Sequence, residues 1–321
     1  MTRDLRVVAR AKLTLSLRVL GRRPDGYHDL EALVVSLREP HDVVGLRLQA
    51  PFGVRIRLSG RAVAGVPVDH TNLAARAARL LLEVAADGED AGPWAASGLD
   101  ISLHKVIPAG AGLGGGSADA AGTLVGGAQL LGLRLADDAL AGLAASLGSD
   151  VPFCVAGGAA WIRGRGEIVE PLPAAAASAG LAAVPGSGSG GLALVVAVPP
   201  FPLATAAVYR AWDELGGPSS TRPVPTPDAL AGLGLPDELV NDLEPAAEHV
   251  EARLRPFREG LEALAGGPAL LAGSGSAYVV AVGSPSRAAV VATQAGVELR
   301  ATAFATGLAA RGVETQKELG S

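Results

Sequence analysis

Cysteine is nearly missing from this chain: Cys154 is the only one among 321 residues. That excludes an intramolecular disulfide and a zinc site built on several thiolates, and it predicts a reducing compartment, the cytoplasm. Lysine is almost as scarce, with Lys12, Lys105 and Lys317 the only three among 27 basic residues. A lysine in a chain that otherwise uses arginine therefore asks for a chemical reason. Aromatics are few, 3 Trp, 3 Tyr and 5 Phe, so an aromatic in a polar, turn-flanked setting is a poor candidate for filler. An excess of positive charge is also lacking. The net charge is -5, which excludes broad electrostatic capture of nucleic acid while leaving room for a local basic pocket.

A long apolar run is absent too. The longest uncharged stretch, Pro171 to Tyr209, contains six prolines and a Gly/Ser run, a composition that predicts no membrane helix. Met1 to Leu20 alternates apolar and polar residues and carries several arginines, which predicts no secretory leader.

What remains is 49% hydrophobic with 43 Gly and 22 Pro, the composition of a loop-rich globular protein long enough for two domains. Alternation around Leu13, Leu15, Leu17 and Val19 reads as a strand, followed by a turn at Arg23-Pro24-Asp25-Gly26 and a second strand from Tyr27 to Leu37. Val54 to Leu58 and Leu99 to Ile107 add strands, and Thr71 is placed to cap a helix through Leu80 and Val84. Helices are expected up to Leu131 and over Asp137 to Leu147. Pro173 to Gly191 and Gly217 to Pro236 read as loop-rich connections. Beyond them, strands are expected at Leu192 to Val198, Leu270-Leu271, Ala277 to Val282 and Arg300 to Ala305. Helices fall at Thr205 to Leu215, Glu238 to Ala265 and Ser286 to Gln294. The fold class is α+β, because strands and helices cluster without regular βαβ alternation.

The strongest local signal is Pro108-Ala109-Gly110-Ala111-Gly112-Leu113-Gly114-Gly115-Gly116-Ser117. Five glycines leave amide N–H groups unshielded, and a helix starts at the end of the run, so the segment is suited to cradle phosphate without net positive charge. A plain glycine-rich turn is the bland alternative. A P-loop is excluded because no lysine lies between Gly110 and Ser117. A dinucleotide fingerprint fits Gly110, Gly112 and Gly115, but Asp137 and Asp138 open a helix and do not end a strand.

The same loop, with Ala118-Asp119-Ala120-Ala121 after it, resembles the ATP loop of the GHMP kinases. Four further segments match that family in order. They are Ala11-Lys12-Leu13 with Arg23 to His28; Leu147 to Phe153 with Gly164-Arg165-Gly166-Glu167; Asn241-Asp242-Leu243-Glu244; and Gly273-Ser274-Gly275-Ser276. The resemblance spans Lys12 to about residue 305 and is most similar to the branch that acts on a cytidine diphosphate-linked polyol. A mevalonate- or homoserine-type member is the alternative.

The resemblance implies a two-domain GHMP kinase fold, ribosomal-protein-S5-like over 1–168 and ferredoxin-like over 169–312, with 313–321 as a tail. It implies ATP and Mg2+, with Ser117 a possible contact through Mg-ATP, and small-molecule substrates. No nucleic acid or membrane partner is implied, and the chain is expected as a monomer or homodimer. Lys12 and Asp150 become the catalytic pair at the accepting hydroxyl, and Pro108 to Ser117 the ATP site, where a side chain at Gly114 or Gly115 would intrude on phosphate. Thr14, Tyr27, His28, Tyr209, Gly273, Ser274 and Gly275 become substrate contacts. The family often has Asn where Thr14 stands. Taken singly, Lys12 also fits an exposed strand lysine, Asp150 a helix cap, Tyr27 and His28 strand-end packing, and Tyr209 a helix-face core position. His41, His70, His104 and His249 lack metal-ligand spacing, and Cys154, Trp161 and Trp212 read as core.

Overall fold

The computed structural model describes residues 4–49, 52–87, 97–172, 193–217 and 239–316. The loop readings at Pro173 to Gly191 and Gly217 to Pro236 lie outside these residues, apart from Gly217 itself. Two antiparallel-dominated sheets organise the rest.

The first sheet has eight strands. Its central path uses β1 (Asp4–Arg22), β2 (His28–Gln49), β4 (Gly98–Lys105) and β3 (Val54–Gly60), with β5 (Ala159–Gly164) pairing the first half of β2 on the edge away from β1 and β6 (Ile168–Pro171) pairing β5. Apolar alternation builds it, and Leu13, Leu15, Leu33 and Leu46 are all buried. The expected Tyr27 to Leu37 strand continues to Gln49. Between β1 and β2 the register shifts at Arg10/Lys12, at Thr14/Ser16 and at Val19/Gly21. Such irregularities re-aim side chains, and here two of them flank Lys12 and Thr14.

Helices α1 (Leu73–Asp87), α2 (Gly115–Leu131), α3 (Asp137–Leu147) and the short α4 (Val151–Ala156) accompany this sheet. The cap of α1 is Asn72, whose Oδ1 accepts from the Ala74 N–H at 2.9 Å. Thr71 instead donates to Asp69, so the expected cap is displaced by one residue. Helix α2 packs almost without a gap on β1 and β2, because it presents glycine where they cross. A Cβ on Gly126 would lie 2.6 Å from Val7 Cγ2 and 2.9 Å from Leu46 Cδ1.

The second sheet runs β10 (Thr302–Thr306), β7 (Ala193–Val198), β9 (Tyr278–Val282), β8 (Ala269–Leu271). Helix α5 (Thr205–Glu214) follows β7, and α8 (Pro285–Glu298) follows β9. The single helix expected over Glu238 to Ala265 is two, α6 (Glu244–Val250) and α7 (Leu254–Ala265). Glu251 breaks it, in extended backbone and with its carboxylate accepting from the Arg253 N–H. The expected tail is also corrected. Leu308–Ala309, β11, pairs with β2, and Val313–Gln316, β12, pairs with β1. The chain has thus re-entered the first sheet before residue 312, and residues 317–321 lie outside the described set.

Two glycines of the first-sheet helices should respond oppositely to alanine. Gly126→Ala overfills the α2 crossing and should destabilise by about 1–3 kcal/mol. Gly142, in α3, meets nothing within 4 Å of a built Cβ, so Gly142→Ala should stabilise by up to about 1 kcal/mol through helix propensity. Urea unfolding of both variants checks the pair, and shifts of the same sign would contradict the packing described.

Candidate active site

The first sheet, the glycine loop, helix α5 and the Gly273–Ser274 turn line one cleft of about 1200 Å³. A pocket for one small ligand holds roughly 300–1,000 Å³, so this cleft has room for two nucleotide-sized molecules. Its walls include every residue from Pro108 to Ser117, together with Lys12, Thr14, Tyr27, His28, Asp150, Tyr209, Gly273 and Ser274. Gly275 is the exception. Its Cα points at Leu271 and Leu203, where a Cβ would approach to 3.0 and 3.1 Å, so it shapes the turn from behind and does not line the cleft.

Lys12 sits at the centre. Its backbone N–H donates to Leu113 O at 3.0 Å, which ties β1 to the glycine loop. Its Nζ donates to Thr14 Oγ1 at 3.2 Å and lies 3.6 Å from Asp150 Oδ2. The lysine side chain is 10% exposed and the aspartate side chain 45%. The charge is thus shielded at one partner and open at the other. Asp150 precedes α4 without making a side-chain cap hydrogen bond, so its carboxylate faces the cleft free of that duty. Thr14, where an amide was expected, supplies the hydroxyl that holds the ammonium.

The loop itself is shaped by positive φ at Gly110, Gly112 and Gly114. At Gly114 any Cβ would meet Lys12 Cγ at 2.8 Å, and at Gly112 it would meet Ala272 O at 2.2 Å. Gly115 differs from the expectation: its Cβ direction leads to Ile107 in the core at 3.0 Å, away from the space a phosphate would fill. Gly114, in left-handed backbone, caps α2, whose first turn offers free N–H groups and the positive end of a helix dipole.

At the other end of the cleft His28 stacks on Tyr209, with centroids 4.9 Å apart and planes at 25°. Tyr27 is 58% exposed, with the Arg165 guanidinium 4.9 Å from its ring centre. The expected partner of Tyr209 was a base; its partner in the structure is His28. Burial pushes the Tyr209 phenol up, with the Asp150 charge adding to it.

Three features were not assigned from the sequence. Asn241 Nδ2 donates to Leu271 O at 2.8 Å and Gly273 O at 2.7 Å, which pins the Gly273 turn against Lys12. Lys105 pairs with both Asp42 and Asp119 in the interior. Burial pushes the Asp119 carboxyl up to about 7, against the pull of Lys105, and among the described residues its Oδ1 has no hydrogen-bond partner. Asp213 bonds His28 at 2.8 Å. The scarcity of lysine was the one signal that could have singled out Lys105.

Comparison with known proteins agrees with this geometry. Residues 72–158 match the model of the GHMP kinases N terminal domain. The 4-diphosphocytidyl-2-C-methyl-D-erythritol kinase of Moorella thermoacetica is 38% identical over 302 residues, which is 88% of this chain and 92% of that protein. The chain belongs to the 4-diphosphocytidyl-2-C-methyl-D-erythritol kinase family. Membership makes it a kinase of the GHMP superfamily, with ATP as phosphoryl donor. The chloroplastic relative from Oryza sativa is 36% identical over 89% of this chain and 66% of its own length. A crystal structure of a 4-(cytidine 5'-diphospho)-2C-methyl-D-erythritol kinase superposes with TM-score 0.71 at 33% identity, covering 96% of this chain and all of that one. The homoserine kinase of Cytophaga hutchinsonii, at 19% identity and TM-score 0.67 over 98% of this chain and 97% of its own, shares the fold.

A methyl group at Gly114 must displace the Lys12 stem. Gly114→Ala should therefore lower kcat by about tenfold or more, and steady-state rates check it. Gly115→Val should instead lower the melting temperature, with ATP affinity in the folded protein little changed by calorimetric titration.

Proposed function

We propose that this kinase transfers the γ-phosphoryl of ATP to the 2-hydroxyl of 4-diphosphocytidyl-2-C-methyl-D-erythritol, a step of the non-mevalonate isoprenoid route. The carrying observation is the Lys12–Asp150 pair, 3.6 Å apart, in one cleft between the glycine loop and the aromatic end. The first sheet and α1–α4 correspond to the S5-like half, and residues 193–306 to the ferredoxin-like half. The cytoplasm is its compartment, a reading that rests on the lone, buried Cys154.

The glycine loop amides and the α2 terminus hold the triphosphate. Asp150 accepts the proton of the attacking hydroxyl as its oxygen bonds phosphorus and ADP leaves. Lys12 sets its positive charge beside the transferring group, where a fixed cation outperforms water. Mg2+ accompanying ATP needs only one or two protein oxygens, the rest coming from phosphate and water. Ser117 in the first turn of α2 and the orphaned Asp119 Oδ1 fit that need; the ion supplies charge neutralisation on the phosphates. Tyr27 and His28 take the cytosine, with Tyr27 offering the ring face opposite Arg165 and Tyr209 backing the His28 ring.

The assignment is tested by ATP turnover with the diphosphocytidyl substrate against mevalonate and homoserine. Turnover confined to the first is expected, and a preference for either other acceptor would overturn the reading. Tyr27→Ala should raise the KM of the cytidine substrate through loss of stacking, about 1–3 kcal/mol per base, while the KM of ATP stays put.

The catalytic pair gives a sharper test. Asp150→Asn should cost turnover about 10²–10⁴-fold, and Lys12→Met on the order of 10²–10³-fold. Both act on one transition state, so the double variant should be little slower than the worse single one. Multiplicative losses in that cycle would separate the two residues.

A further inference from the structure

His28 is held from three directions by a single helix. Tyr209, Trp212 and Asp213 stand at i, i+3 and i+4 of α5 and so share one face. The His28 ring lies on Tyr209 at 4.9 Å, and its centroid is 5.4 Å from that of Trp212 with the planes near perpendicular. Its Nε2 is 2.8 Å from Asp213 Oδ1. The other carboxylate oxygen, Oδ2, lies 3.8 Å from the Arg22 guanidinium. His28 is only 8% exposed, yet it lines the cleft.

An ionised carboxylate can only accept, so Nε2 must carry the hydrogen. A neutral imidazole has one N–H, which leaves Nδ1 as an acceptor. Among the described residues Nδ1 has no hydrogen-bond partner, and it is not among the occluded, unpaired atoms. It is therefore open to a ligand in the cleft. The exocyclic amine of cytosine donates where the corresponding carbonyl of uracil accepts. An acceptor on the protein suits the first and repels the second.

We propose that Asp213 is a positioning residue that holds His28 in the Nε2–H tautomer, so that Nδ1 accepts from the substrate base and selects an aminopyrimidine over its keto counterpart. The proposal rests on the reading above that His28 faces the cytosine. Sites that reject a ligand by leaving a buried polar group unpaired discriminate more strongly than sites that rely on shape. Stacking on Tyr27 alone, which accepts any pyrimidine, would not supply that choice.

The test uses the full chain with ATP, the cytidine diphosphate-linked substrate and its uridine diphosphate counterpart. Asp213→Ala should shrink the cytidine preference in kcat/KM by about tenfold or more, the loss of roughly one well-made hydrogen bond. The change should fall on the KM of the cytidine substrate, with the KM of ATP within about twofold. Nitrogen-15 spectra of the wild-type imidazoles, with His28 assigned by its absence in His28→Ala, should show Nε2 protonated and Nδ1 bare. In Asp213→Ala the two tautomers should mix. A wild-type spectrum with the proton on Nδ1 overturns the proposal whether or not the variant folds. An unchanged preference in folded Asp213→Ala, beside a reduced one in His28→Ala, also overturns it. If His28→Ala keeps the preference as well, the fault lies in the base reading and not in Asp213.

Discussion

The rest of the site depends on keeping one ammonium nearly out of water without burying it alone. Lys12 reaches its place because three backbones leave out side chains around it. Gly114 clears the lysine stem, Gly112 lets the loop touch Ala272, and Gly273 leaves 3.5 Å between its Cβ direction and Lys12 Nζ. The charge then finds Thr14 on its own strand and Asp150 from the turn before α4. A buried cation without such partners would shed its proton or move toward solvent. Partnered on one side and open on the other, the Lys12 ammonium faces the cleft.

That arrangement requires the two sheets to hold a fixed distance. The fixing is done by backbone and amide hydrogen bonds, which tolerate little slack. Leu17 exchanges bonds with Val240 and Asp242 at 2.7 and 3.0 Å, and Ala277 N–H donates to Ala111 O at 3.2 Å. Asn241 completes the bracket from the second half, reaching the carbonyls that flank the Gly273 turn. Beneath the loop, Asp42 accepts from the Val106 and Ile107 amides while pairing with Lys105. Burial alone would drive Lys105 toward neutrality, but the two carboxylates outweigh it and its pKa rises. This buried cluster joins the end of β4 to α2 at Asp119, on the two sides of the glycine loop.

Much of this was legible in the residues, and the limits have physical causes. Period-2 alternation marked the first strands, and Gly148 marked the end of α3, because each signal is local. The break between α6 and α7 escaped because Glu251 and Arg253 are good helix formers that here prefer each other's hydrogen bonds. The return of β11 and β12 to the first sheet escaped because pairing across some 300 residues leaves no local trace in either partner. The cleft residues were legible as short segments matching a family. Their geometry was not, as Gly115 shows: its neighbours line the cleft, while its own Cβ direction points at Ile107 in the core. Asp213 was hidden for a related reason, since an acidic residue on an amphipathic helix gives no sign that a histidine 185 residues earlier will lie across it.

The two ends of the cleft also resolve an apparent conflict in the charge. A protein with net charge -5 must hold two nucleotides that are themselves anions. On the proposed assignment, the attraction at the glycine loop comes from amide dipoles and the α2 terminus, which carry no formal charge and add nothing to that balance. At the aromatic end, formal cations are present but committed: Arg165 lies over Tyr27 and near Glu167, and Arg22 near Asp213. On the same assignment, recognition there falls to ring faces and to hydrogen bonds of fixed polarity. Lys12 is left as the cation at the meeting point of the two ends, held 3.6 Å from a carboxylate that is itself nearly half exposed. The proposed assignment thus concentrates positive charge where negative charge would move during phosphoryl transfer, and has the binding surfaces on either side draw on dipoles, shape and stacking.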